Sequence, residues 1–155
     1  MSRVQLALNV SDLDAAVAFY SKLFGVAPAK RRPGYANFAI EEPPLKLVLL
    51  EGGGAPGTLD HLGVEVGSTG EVTAAGRRLT SAGLSTAAED EVACCYAVQD
   101  KVWVDDPDGA PWEVYTVLGE ADAPVGSLRA VAPDGADACC APVGAPVGDQ
   151  PPDPA

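Results

Sequence analysis

Two cysteines side by side, Cys94 and Cys95, share the segment EVACCYAVQDKVWVDDPDGAPWEVY with a lone glutamate in its last strand-like stretch, Glu113. Adjacent thiols offer two soft donors that can hold one soft centre between them; the competing reading makes them small apolar residues without chemistry. The chain has a single histidine, His61. An imidazole can act as base, proton carrier or metal ligand, and a carboxylate such as Glu113 can join it in any of these roles. Which role applies depends on the elements that carry these residues.

Those elements repeat. VQLALNV at Val4 to Val10 aligns with DHLGVEV at Asp60 to Val66, with Leu6/Leu62, Leu8/Val64 and Val10/Val66 matching. This is the alternation of a half-buried strand. A helix follows each copy. The first runs over Asp12 to Phe24 with Ser11 as its cap, an apolar stripe of Leu13, Ala16, Val17, Tyr20, Leu23 and Phe24, and Gly25 as its stop. The second runs from Gly70 to Gly83 with Val72, Ala75 and Leu79 on one face and Gly76 weakening it. Strand candidates come next: PAKRR, YANFAI and LKLVLLE in the first half; LSTAA, ACCYAVQDKVWVDD with a break near Tyr96, and PWEVYTV in the second. The expected fold class is α+β, two βαβββ modules forming one curved mixed sheet. Module 1 covers about residues 3–51 and module 2 about 58–117. The segment 118–155 is expected to be a flexible tail, because more than half of it is Ala, Gly or Pro.

Alternation also gives the site. With Leu6, Leu8 and Val10 toward the helices, Gln5, Ala7 and Asn9 face the other way, as do His61, Gly63 and Glu65. Gln5 and His61 then hold equivalent positions in the two modules, and Glu113 belongs to the same face of the last strand. An amide oxygen, an imidazole and a carboxylate in one cup make an open facial ligand set, close to the 2-His-1-carboxylate arrangement of non-haem Fe(II) oxygenases. Their competing reading is structural. Tyr35, Asn37 and Phe38 either line the cup or pack the sheet, and the KRR run at Lys30 to Arg32 reads as a solvated strand edge.

Composition sets the limits. Ten Lys and Arg stand against 22 Asp and Glu in 155 residues, a formal charge of −12, which repels nucleic acid and anionic membranes. The N-terminus has no signal-peptide pattern and no apolar run approaches membrane-spanning length, so a soluble cytoplasmic protein is expected. The four cysteines come as two adjacent pairs, Cys94-Cys95 and Cys139-Cys140. That spacing favours free thiols over a disulfide framework.

The paired βαβββ pattern resembles the vicinal oxygen chelate superfamily, which includes glyoxalase I, extradiol dioxygenases and bleomycin-resistance proteins. ALNVSDLDAAVAFYSKLFG, YANFAIEEPPLKLVL, HLGVEV and CCYAVQDKVWVDDPDGAPWEVY together resemble the ArsI-type carbon-arsenic lyases and the related cadmium-induced proteins, over about Arg3 to Val117. The resemblance implies an Fe(II)- and O2-dependent lyase that removes the organic group from trivalent organoarsenicals, such as methylarsenite or reduced aromatic arsenicals, and leaves arsenite. It implies metal ligation and catalysis by Gln5, His61 and Glu113, and substrate binding by Cys94 and Cys95. Trivalent arsenic is soft and thiophilic, so two thiolates suit it. Many relatives have histidine where this chain has Gln5; an amide keeps the metal and its ligands at about +1 but is a poorer donor, so easily lost metal is expected. Two other functions stay open: sequestration of cadmium or arsenic by thiolates, and a glyoxalase-like or antibiotic-resistance metalloenzyme. Superfamily members pair modules within a chain or swap them, so a homodimer is among the expected states.

Overall fold

Strand-forming runs and two capped helices alternate along the chain in the expected order. The computed structural model describes residues 2–94 and 96–121. Strands β1 (Arg3–Val10), β2 (Lys30–Arg32), β3 (Tyr35–Ile40) and β4 (Leu45–Glu51) with helix α1 (Leu13–Phe24) form the first module. Strands β5 (Leu59–Glu65), β6 (Thr86–Cys94), β7 (Ala97–Asp105) and β8 (Pro111–Glu120) with helix α2 (Thr69–Ser81) form the second. They make one eight-stranded sheet in the order β2-β3-β4-β1-β5-β8-β7-β6.

The two modules meet at the antiparallel pair β1–β5, and each module closes on a parallel pair, β1–β4 and β5–β8. In the central seam Gln5 lies opposite Gly63 and Ala7 opposite His61. An approximate two-fold axis exchanges these pairs, so the sequence equivalence of Gln5 and His61 becomes a spatial one.

Both helices cover the convex face. Under α1, Leu13 and Val17 pack on Ala36, Phe38, Ile40, Leu47 and Leu49. Under α2, Val72 and Leu79 pack on Val102. Phe38 and Leu49 are fully buried, each worth roughly 1.5–3 kcal/mol of transfer free energy. Phe38 thus belongs to the core, whereas Tyr35 and Asn37 lie on the opposite, concave side.

Several local expectations need correction. Asp12, not Ser11, caps α1, its carboxylate accepting from the Ala15 N–H at 2.9 Å; a carboxylate also complements the helix dipole. Gly25 ends α1 as expected, in the left-handed region with φ 69°. Thr86 to Ala88 of LSTAA and Ala93 and Cys94 of the cysteine segment belong to one strand, β6, while the break falls at Tyr96 as expected, with φ 62°. The last strand passes the expected boundary at Val117, because Gly119 and Glu120 pair with Val98 and Ala97 and Glu120 takes an ion pair from Lys30. The tail beyond Ala121 and the cysteines Cys95, Cys139 and Cys140 lie outside the described residues.

Candidate metal centre

The concave face of the sheet is unusually polar for a protein interior. Gln5, Asn9, Lys46, His61, Gln99, Lys101 and Glu113 are all buried there. Strand alternation puts them on this side: Gln5 on β1, His61 on β5 and Glu113 on β8 come from adjacent strands of the sheet. The structure brings the three together. Gln5 Nε2 donates to Glu113 Oε1 at 2.8 Å and lies 3.1 Å from His61 Nε2, which is 3.5 Å from the same carboxylate oxygen.

Gly63 makes this contact possible. It stands between Gln5 and Glu113 in the pairing row, and a Cβ built on it would lie 3.2 Å from side-chain carbons of Gln5, Glu113 and Tyr115. A methyl here would require these three side chains to give by a few tenths of an ångström.

Three further side chains fix the trio, and sequence reasoning did not assign them. Asp60 Oδ1 lies 2.7 Å from His61 Nδ1, which orients the ring and turns Nε2 into the cup as carboxylate partners of metal-bound histidines do. Lys101, 1% exposed, donates from Nζ to Glu113 Oε2 at 2.7 Å. Tyr115 donates its hydroxyl to Gln5 Oε1 at 2.6 Å and reaches Glu65 Oε2 at 3.4 Å. The alternation Gln99, Lys101, Trp103 on β7 was the available signal for Lys101, which hides in a run that otherwise reads as a strand edge.

Charge follows from these contacts. Burial pushes the Glu113 carboxyl up, but the Lys101 ammonium and His61 together outweigh it and hold the group well below the usual carboxylate range. Glu113 is therefore an anion at any working pH. Burial, with Glu65 and Glu113 adding to it, pushes the Tyr115 phenol far above its ordinary value, so it remains a neutral donor. Burial also pushes Glu65 up, and the Arg3 hydrogen bond at 2.7 Å with the Lys46 charge overrides it to leave Glu65 lowered.

Two donors suit a divalent cation as they stand, His61 Nε2 and Glu113 Oε1. Gln5 presents its Nε2 to them, and a ligating amide would need a half-turn to bring Oε1 round. Tyr115 can accommodate that turn: its oxygen would accept from Nε2 while its proton swings from Gln5 Oε1 to Glu65 Oε2, 3.4 Å away. Among the described residues no group of three His, Cys, Asp or Glu side chains is placed to hold a metal ion. A set built on His61 and Glu113 would need a further donor of another kind, and the Gln5 amide lies beside both. Lys101 changes the expected charge, since its ammonium cancels Glu113 and a divalent ion would leave the centre at about +2 instead of +1. This repulsion, with the poor amide donor, would weaken metal binding at such a centre.

Cys94 ends β6 on the same face. It is 2% exposed and packs in a cluster with Ala7, Tyr35, Val48 and Leu50, against which Tyr96 also lies. Lys30 and Arg32 hold the hairpin tip, Lys30 Nζ donating to the Tyr96 carbonyl at 3.0 Å and Arg32 lying over the Tyr96 ring at 5.9 Å. The KRR run is thus more than a solvated edge. Against the expectation of free thiols, Cys94 is disulfide-bonded.

Residues 3–114 match the family model for the Glyoxalase/Bleomycin resistance protein/Dioxygenase superfamily. The chain is 63% identical to a trivalent organoarsenical cleaving enzyme from Thermomonospora curvata, over 92% of this chain and 90% of that one. It is 66% identical to the cadmium-induced protein CadI of Mycobacterium bovis, over 79% and 80% of the two chains. Among solved structures, an extradiol ring-cleaving dioxygenase from B. fuscum superposes with a TM-score of 0.56 at 20% identity, over 77% of this chain and 34% of that one. At that identity the likeness is one of fold.

Proposed function

The chain belongs to the Glyoxalase/Bleomycin resistance protein/Dioxygenase superfamily, and we propose that within it this protein removes the organic group from trivalent organoarsenicals, such as methylarsenite or reduced aromatic arsenicals, leaving arsenite. One observation carries the reading: Gln5, His61 and Glu113 meet in a buried cluster, on the face where Cys94 is buried, in a chain 63% identical to an enzyme named for that cleavage.

Each group has a part. His61 Nε2, Glu113 Oε1 and, after its half-turn, Gln5 Oε1 would hold Fe(II). Bound there, Fe(II) would supply the redox chemistry that lets O2 act on a carbon-arsenic bond. Asp60 keeps the His61 ring in register. Lys101 keeps Glu113 ionised and occupies one of its oxygens, which leaves a single oxygen for a metal. Tyr115 holds the amide and stays protonated. Cys94 and Cys95 would exchange the arsenical's oxygen substituents for two sulfurs, releasing the oxygens as water. Capture needs thiols, so a reductant must first deliver two electrons and two protons to the disulfide at Cys94.

The test begins with protein reduced and then freed of reductant. It is loaded anaerobically with Fe(II), given methylarsenite, and opened to air. Arsenite is expected from the wild type and not from the Cys94→Ser/Cys95→Ser variant. Tight arsenical binding without arsenite would move the assignment to sequestration. Glyoxalase-type turnover with other divalent metals, unaffected by loss of the cysteines, would move it to that class.

A further inference from the structure

One buried polar atom on the concave face has no role in the metal centre. Gln99 on β7 is 4% exposed, and its Oε1 has no hydrogen-bond partner among the described residues. Leaving a buried acceptor unpaired costs about 1–3 kcal/mol. A register shift between Val98 and Gln99 in the β7–β8 pairing interrupts the ladder at this point, and such bulges commonly re-aim a side chain at a site.

Gln99 lines a cavity of about 240 Å³ together with Tyr35, Lys46, Glu65, Ala97 and Val117. Two of its lining residues touch the two halves of the proposed chemistry. Tyr35 belongs to the Cys94 cluster. Glu65 touches Tyr115, whose hydroxyl holds Gln5. A dry cavity of about 150 Å³ already admits benzene, so this one has room for a substituted ring. Its walls are mixed: Arg3, Lys30, Lys46, Glu65 and Glu120 line it beside its apolar residues and the Gln99 acceptor.

We infer that this cavity is a subsite for an aromatic ring bearing an N–H or O–H donor, the organic group of an arylarsenical, and that Gln99 is its specificity-determining residue. The ring lies against Tyr35 and Val117, and its donor satisfies Gln99 Oε1. The inference rests on the lyase reading for the identity of the ligand, but not for the existence of the subsite.

The test separates the two. Aniline and toluene, both free of arsenic, are titrated near neutral pH, where aniline is uncharged, into the 15N- and 13C-labelled full chain and into Gln99→Leu. Aniline should bind the wild type about tenfold more tightly than toluene, the scale of one buried hydrogen bond. It should shift the Gln99 side-chain carbonyl resonance, and the preference should vanish in Gln99→Leu. If that variant fails to fold, the wild-type resonance decides alone. Equal binding of the two probes, or an unmoved Gln99 resonance, overturns the subsite even where phenylarsenite is cleaved. An aniline preference centred on Gln99 with no arsenical cleaved supports the subsite and overturns the lyase reading instead.

Discussion

At the scale of single residues, the proposed metal centre turns on Gln5. Its amide links Tyr115 to the His61–Glu113 pair. Replacing it by alanine removes the proposed third donor and is expected to weaken Fe(II) binding about 10-fold or more. Gln5→His restores a lone-pair nitrogen and should tighten it. Anaerobic Fe(II) titration of the three proteins at one pH, without arsenical, checks both; an unchanged affinity in Gln5→Ala would remove Gln5 from the ligand set. Lys101 sets the charge of Glu113. Because Glu113 is held low, its contribution to stability is present above the ordinary carboxylate value of 4.5 and is lost as pH falls below it. Lys101→Met leaves a buried carboxylate without its cation, a loss of about 3–5 kcal/mol near neutral pH. That deficit should close as pH falls through the carboxylate range, and denaturant unfolding at several pH values measures it. Alternation alone assigned Gln5, His61 and Glu113 to one face. It could not assign Asp60, Lys101 or Tyr115 as partners, because those contacts depend on side-chain reach across strands whose order no local pattern states.

At the scale of elements, strand register does the positioning. The row Lys46, Gln5, Gly63, Glu113, Trp103 crosses five strands, and only the glycine leaves room above the sheet for the amide to meet the carboxylate. Gly63→Ala places a Cβ 3.2 Å from three neighbouring side-chain carbons. Overpacking of this kind costs about 1–3 kcal/mol. The protein should still fold, with a lowered melting temperature, and Fe(II) affinity should fall further than the fold does, since the displaced groups are the donors themselves. Thermal unfolding set beside metal titration separates the two effects, and an affinity equal to the wild type would show that the row tolerates the methyl. The βαβββ repeat was legible because each strand alternates and each helix has a cap and a stripe. The break near Tyr96 was legible too, and it puts Cys94 at a strand end; the positive φ at Tyr96 was not, since it leaves no mark on a residue that is not glycine.

At the scale of the whole molecule, the seam between modules matters more than either module. Gln5 comes from the first βαβββ unit, whereas His61 and Glu113 come from the second, and the antiparallel β1–β5 pair joins the units within one chain. The sequence pattern left module swapping open; here Gln5, His61 and Glu113 are brought together by strands of a single chain. Each chain should then bind Fe(II) on its own, at one ion per chain. A site assembled from swapped modules would instead lose affinity on dilution, because its donors would separate with the subunits. The measurement is an anaerobic Fe(II) titration repeated over a roughly hundredfold range of protein concentration, with sedimentation run alongside to report the mass of the bound species. A dissociation constant unchanged across that range, whatever the mass, is the expected outcome. A constant that rises as a larger species dissociates would show that the centre is shared between chains.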